Sequence, residues 1–232
     1  MDIESEIADT LIEQPVGFSI YGESYFLHPP TLGCTYAVNK VLAGIGVDMG
    51  LIAVNPYAEA LRLCKEKKGQ VCTALAYHTL QRKEDILSPS VVATRAEELG
   101  GLDTKELATL FMLAISSDNT DRFIHHLGLD KERDERRRIT NAKDNGGSIT
   151  YGGRSIYGTL IDFACQRYGW TMDYVLWSIS YANLKMLMAD AITTIYLTEE
   201  ERKKLHIFDD KEVINADDPK NKELIRKMIF ND

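Results

Sequence analysis

A change of hydrophobic period at a proline pair limits the fold more than any other feature. Before Pro29-Pro30 the apolar side chains alternate: Val16, Phe18 and Ile20, then Tyr25 and Leu27 after the stretch Tyr21-Gly22-Glu23-Ser24. Alternation on both sides of a glycine-containing turn predicts a β-hairpin. Proline has no N–H to give to a ladder, so the pair ends the second strand. From Thr31 onward the apolar spacing is helical. The chain therefore reads as mainly α, an N-terminal hairpin feeding a helical domain, and a large central parallel sheet is not expected.

Leu32, Tyr36 and the group Val41, Leu42 and Ile45 predict a first helix that ends among Gly44, Gly46 and Gly50. Pro56 suits the first position of a second helix, in which Tyr57, Ala60, Leu61 and Cys64 form one stripe. Lys65, Lys67 and Lys68 favour its C-terminus, with Gly69 as a left-handed stop. Val71, Ala74, Leu75 and His78 repeat the stripe in a third helix. Ser88-Pro89 opens a helix to Leu99 that Gly100-Gly101 ends. Asp103 and Glu106 make a capping box for a helix with Leu107, Leu110, Phe111 and Ala114 on its apolar face. Asp118 or Asn119 caps one more short helix through Phe123, Ile124 and Leu127.

Leu129 to Asp144 then carries six basic and five acidic residues, a net charge of 6 − 5 = +1, without an apolar stripe. It reads as a linker or a solvated helix, extended by the glycines at 146, 147, 152 and 153. The expected division is a hairpin-plus-helices domain over 1–128, a charged, glycine-rich linker over 129–155, and a smaller helical module over 156–232. In that module Ile156, Leu160, Phe163 and Ala164 form a helix ending near Gly169. Thr171 caps a long helix with Asp173 in its first turn and Trp170 stapled onto Val175. Trp177, Tyr181, Leu184, Leu187 and Met188 leave that helix apolar on most sides, as in a core or an interface. Thr198 and Glu201 form another capping box, and Asp218-Pro219 opens a terminal helix carrying Leu224, Ile225, Met228 and Ile229.

Composition narrows the function classes. With 27 basic against 35 acidic residues in 232, the formal charge is −8, which excludes a generally basic nucleic-acid coat. Arg136-Arg137-Arg138 is the sharpest basic spot and leaves a helical nucleic-acid-binding or regulatory protein of a mobile element as the rival reading, but Asp134 and Glu135 blunt it. The lead from Met1 to Gln14 is acidic and has no signal-peptide pattern. The most apolar stretch, Tyr174 to Leu197, contains Asn183, Lys185 and Asp190, so it reads as a buried helix rather than a membrane span. Cys34, Cys64, Cys72 and Cys165 form no CxxC pair and read as free thiols in a reducing cytoplasm.

The catalytic near misses are weak. Gly44, Gly46 and Gly50 depart from a dinucleotide fingerprint, because the third glycine is one place late and a helical stripe precedes them. Residues 147–155 have Gly153 where a phosphate-binding loop needs lysine, with the charge displaced to Arg154. Asp121 and His125 could share a helix face, but two ligands are too few for a metal site, and His125 and His126 read as surface groups. Nothing calls for a cofactor. The turn Tyr168-Gly169-Trp170 and Trp177 read either as core packing or as anchors for a protein partner.

Two segments resemble bacteriophage tail assembly chaperones. The opening FSIYGESYFLHPPTL is similar to that family's short hairpin running into a helical domain, through Phe18, Ile20, Gly22, Tyr25, Leu27, Pro30, Thr31 and Leu32. The stretch from Tyr157 to Leu184 resembles its downstream module, in which a helix, an aromatic-Gly-Trp turn and a second helix follow one another, through Tyr168, Gly169, Trp170 and Thr171. The likeness spans the hairpin and helices to about Leu127, then Ile156 to Met188; residues 199–232 have no counterpart. It implies a non-enzymatic protein of the host cytoplasm, phage- or prophage-encoded and free of cofactor and metal. Such a protein coats the helical tape measure protein and recruits tail tube subunits. The implied partner-binding residues are Tyr25, Leu27, Tyr168, Gly169, Trp170 and Trp177. A homo-oligomer, and a frameshifted or fused origin for the two modules, stay open.

Overall fold

In a computed structural model, which describes residues 2–115, 120–143 and 151–206, the chain first turns at Tyr21-Gly22. Both residues have positive φ, 51° and 87°, as a two-residue type I′ hairpin loop requires. Strands β1 (Val16–Ile20) and β2 (Glu23–Leu27) pair antiparallel, with Phe18 opposite Tyr25 and Val16 opposite Leu27. Glu23 and Ser24, expected in the turn, belong to β2. Ile20 and Leu27 are buried, and Phe18 stacks on Tyr25 at 5.7 Å between centroids.

The rest of the described chain is helical, fourteen helices in all among the described residues, so the protein is mainly α with an N-terminal hairpin. Helix α1 (Ile3–Leu11) precedes the hairpin, where the sequence showed only an acidic lead. Helix α2 (Leu32–Ile45) begins at Thr31, whose hydroxyl accepts from the Cys34 N–H, and ends at Gly46 with φ 76°. The glycine cluster is therefore a helix stop, and it is followed by a short α3 (Met49–Val54) capped by Asp48. Asn55 caps α4 (Pro56–Glu66). Gly69 is not a left-handed stop: α4 ends at Lys67, and α5 (Lys68–Thr79) starts at once, taking Gly69 into its first turn. After α6 (Lys83–Ile86), α7 (Pro89–Leu99) begins after Ser88, whose hydroxyl faces Ser90 and makes no cap bond. The Asp103–Glu106 capping box opens α8 (Thr104–Ile115) as expected. Helix α9 (Thr120–His126) follows, its expected cap at 118 or 119 lying outside the described residues. The charged stretch is a solvated helix, α10 (Leu129–Ala142), rather than an unstructured linker.

Ser155 caps α11 (Ile156–Tyr168), and Gly169 closes it at φ 67°. Thr171 caps the next helix, its hydroxyl accepting from the Tyr174 N–H at 3.2 Å. The long helix expected there is broken in two, α12 (Met172–Trp177) and α13 (Tyr181–Ala189). The break is stabilised from outside. The Ser180 N–H donates to the Glu13 carboxylate at 2.8 Å, and the Tyr181 N–H to the Pro30 carbonyl at 2.8 Å. Ser180 then caps α13 through the Asn183 N–H.

The described residues fall into two compact units, one holding 2–115, 120–133 and 151–192, the other 134–143 and 193–206. Residues 156–192 thus belong with the hairpin and α2, a grouping that differs from the split at 129–155 expected from composition. The reason is a shared core. One cluster joins Ile20, Leu27, Leu63, Val71, Leu75, Leu99, Leu107 and Phe111. A second joins Leu32 of α2 to Leu160, Ala164, Val175, Ile179 and Leu184. In the other unit, α14 (Glu199–Leu205) carries the expected Thr198–Glu201 capping box, and the Lys143 ammonium donates to the Tyr196 carbonyl. The terminal helix expected from Asp218 lies outside the described residues.

A carboxylate and an imidazole sit within the first core. Glu59 is fully buried, accepts the Asp48 N–H at 2.8 Å and pairs with Arg62, which holds its carboxyl below the usual range. His78 is 6% exposed, and burial pushes its imidazole from 6.5 down to about 4. As pH falls below 6.5, the unfolded chain takes up a proton that the native state refuses, so stability falls. Urea melts should lose about 2 kcal/mol between pH 7 and pH 5 from His78, and His78→Gln should remove most of the slope, leaving the smaller part from the half-buried His28. For the cap, Thr171→Ala should lower the full chain's urea midpoint by an amount equivalent to about 1 kcal/mol.

Candidate functional site

A broad apolar groove of about 870 Å³ lies within the first unit. Its walls are helix stripes. On α2 the lining residues Gly33, Tyr36, Ala37, Lys40 and Val41 follow i, i+3, i+4, i+7, i+8, which places them on one face. On α5, Thr73 and Tyr77 are one turn apart, and on α7 Pro89, Val92 and Ala93 repeat the spacing. Helix α5 packs against both α2 and α7, so it forms a floor between two walls. Ile86 and Leu87 extend one side, while Tyr157, Leu176 and Trp177 close the groove from α11 and α12.

Glycine makes that closure possible. A Cβ on Gly33 would lie 2.6 Å from the Trp177 ring, so only glycine lets the indole sit directly on α2. Beside it Tyr36 meets Tyr157 edge-on at 6.3 Å, and the Tyr157 hydroxyl accepts from the Asn39 amide. Tyr36 and Leu87 are about 60% exposed, a large apolar area left to water. Among the described residues that line the groove, Lys40 is the one charged side chain, and there is no carboxylate, histidine or cysteine. What this surface offers is shape, apolar area and a single cation.

A second surface lies at the Tyr168-Gly169-Trp170 turn. Trp170 stacks on Tyr168 at 4.7 Å and leans on Tyr174 at 5.1 Å, while Phe163 meets Tyr168 edge-on. Gly169 supplies the left-handed residue, its N–H donating to the Cys165 carbonyl. Met172 and Tyr174 beside it are exposed, at 57% and 43%. Tyr168 and Trp170 are half-buried and pack against the core cluster that contains the fully buried Val175, so the indole meets the side of its expected staple as well as the stack.

The residues singled out in the sequence divide accordingly. Tyr168, Gly169 and Trp170 come together at the aromatic turn. Trp177 stands apart from them as a wall of the groove. Leu27 is a core residue, 6% exposed. Tyr25 packs inward, its hydroxyl donating to Glu98 at 3.3 Å and the Arg95 guanidinium covering its ring at 4.9 Å, so neither hairpin residue offers a free surface. The groove residues of α7 carried no sequence signal as a site, because Pro89, Val92 and Ala93 look like any amphipathic stripe until the neighbouring helices leave them uncovered.

The remaining candidates are taken up by structure. His125 pairs with Asp130 at 2.7 Å and Asp121 with Lys185 at 3.4 Å, so the two do not converge. No group of three metal-ligating side chains occurs among the described residues. Arg138 is engaged by Glu135 at 2.7 Å within its own helix. Cys34, Cys64 and Cys72 are buried, and desolvation pushes the Cys34 thiol up to about 12 and the Cys64 thiol to about 11, which keeps both from acting as nucleophiles. No helix among the described residues is long and apolar enough to cross a membrane. Compared with protein-family models, with curated proteins and with solved structures, the chain matches none.

Gly33→Ala should push Trp177 off α2. In a Trp170→Phe background, where Trp177 is the sole indole, its emission should shift to the red and stability should fall by about 1–3 kcal/mol. An unshifted emission would show that the indole does not rest on Gly33.

Proposed function

We propose that the protein is a non-enzymatic tail assembly chaperone of a phage or prophage. It holds apolar helical segments of the tape measure protein in the groove between α2 and α7 and recruits tail tube subunits through the aromatic turn at Trp170. The observation that carries this reading is the groove itself: residues of α2, α5 and α7 line one apolar channel, the kind of surface that receives the apolar face of another helix. The hairpin and aromatic-turn resemblances point the same way.

The energetics suit a holding role. Each 100 Å² of client apolar surface removed from water contributes about 2.5 kcal/mol, less the cost of ordering client and side chains, so binding stays reversible enough for hand-over to the growing tail. The net charge of −8 keeps loaded complexes apart in solution. The exposed Met172 and Tyr174 flank Trp170, so a second partner would meet an aromatic anchor with an apolar surround.

Co-expression with the tape measure protein of the same tail gene cluster tests this. The tape measure protein should become soluble and co-elute with this chain in size-exclusion chromatography. Equal insolubility with and without it, and no complex, would overturn the reading. Trp170→Ala should keep that complex while losing tube-protein capture in a pull-down; intact capture would remove Trp170 from the second site.

A further inference from the structure

Glu13 joins two distant parts of the chain through a strained backbone. It lies just past α1 with φ 58°, in the left-handed region that side chains other than glycine seldom adopt. Its carboxylate accepts the Ser180 N–H at 2.8 Å and one Asn183 amide N–H at 2.9 Å, and the Asn183 amide also donates to the Leu11 carbonyl at 3.1 Å. With both amide hydrogens used, Asn183 cannot turn over without setting its oxygen against two acceptors, and its Oδ1 is left buried with no hydrogen-bond partner. Helix α1 otherwise rests on α13 and pairs Glu6 with Arg122 at 3.0 Å, and none of its nine residues is buried. This weakly held segment nevertheless walls a cavity of about 180 Å³, which Asp9, Thr10 and Gln14 line together with Leu113, Ala182 and the buried His78. We infer that residues 3–14 are a releasable strap, latched by the Glu13 carboxylate and closed here over the His78 cavity, and that its opening admits water and small molecules to that imidazole.

Opening exchanges a few hydrogen bonds and one partly exposed ion pair for bonds to water, a trade of small net worth. No core side chain has to leave its place, because α1 contributes none. Several terms favour release. Glu13 leaves the left-handed region, Asn183 Oδ1 gains a water, and the strap regains backbone freedom. Strain held at one contact in this way is what makes a closed state poised rather than locked. The opposing term is the Ser180 N–H: Ser180 is 1% exposed, so the carboxylate is the partner that keeps this donor satisfied while the strap is shut. Elements that move to give access belong to the least stable parts of a fold, whereas Leu63 and Leu75, fully buried in the first core, belong to the most stable. The His78 cavity shares no lining residue with the apolar groove, so the strap works whatever occupies that groove.

Hydrogen exchange of the full chain, read amide by amide, tests the latch. The amides of α1 and the Ser180 amide should exchange together, ahead of those of Leu63 and Leu75. Glu13→Gly removes the carboxylate and suits the φ of 58°, so any loss comes from the latch and not from the turn. In that variant, exchange at α1 and Ser180 should rise roughly tenfold, and so should carbethoxylation of His78 by diethyl pyrocarbonate, read from peptide masses. Leu63 and Leu75 should keep their wild-type rates, and the exposed His125 should react equally in both proteins. Glu13→Gln, which keeps a neutral acceptor, should fall between. Exchange of α1 with Ser180 still protected would show a fraying helix and overturn the strap. Equal His78 reactivity in wild type and Glu13→Gly would overturn the gate. Acceleration of Leu63 and Leu75 as large as that of Ser180 would make Glu13 part of the global fold, and the latch would fall with it.

Discussion

The contact on which the first unit depends is the seating of Trp177 on Gly33. Leu32, the residue before that glycine, is buried in the cluster formed by Leu160, Val175 and Leu184, whereas Cys34 and Val38 of the same helix belong to the hairpin-side core. Helix α2 therefore has one foot in each cluster. The indole on Gly33 brings α12 down onto it with no side chain between. The Thr31–Ser180 bridge and the Tyr181 N–H on the Pro30 carbonyl add backbone pairing at the same junction. Packing of this kind tolerates little change of volume, since interiors are as dense as organic crystals.

The same contact makes the groove. With Trp177 and Tyr157 closing it from α12 and α11, the uncovered stripes of α2 and α7 become the sides of a channel rather than two separate exposed faces. Structure and function thus meet at Gly33. A side chain there would cost stability and would also displace the wall against which a client helix is proposed to rest.

How much of this was legible in the sequence follows physical lines. Local signals read well: the Tyr21-Gly22 turn, the Thr171 cap, Pro56 at a helix start and the Asp103–Glu106 box are all decided within a few residues. Where tertiary contacts override local ones, the reading fails. The stretch after Thr171 looked like one long helix because nothing local breaks it; Glu13, more than 160 residues away, caps the Ser180 N–H and splits it. Gly69 looked like a stop, yet α4 ends two residues earlier and α5 resumes at once. The low-apolar stretch from 129 suggested a boundary, while the Leu32 cluster draws residues 156–192 back to the hairpin unit. Of the site, the aromatic turn was visible as a motif. The groove was not, because its walls are three ordinary stripes whose meaning lies in what fails to cover them.

Hydrogen exchange of the full chain with and without bound tape measure protein tests the central claim most directly. The account predicts added protection along α2 and α7, the two walls, with the face of α8 unchanged. Protection that leaves Leu32–Ile45 and Pro89–Leu99 as they are in the free protein, and falls elsewhere in the chain, would contradict it.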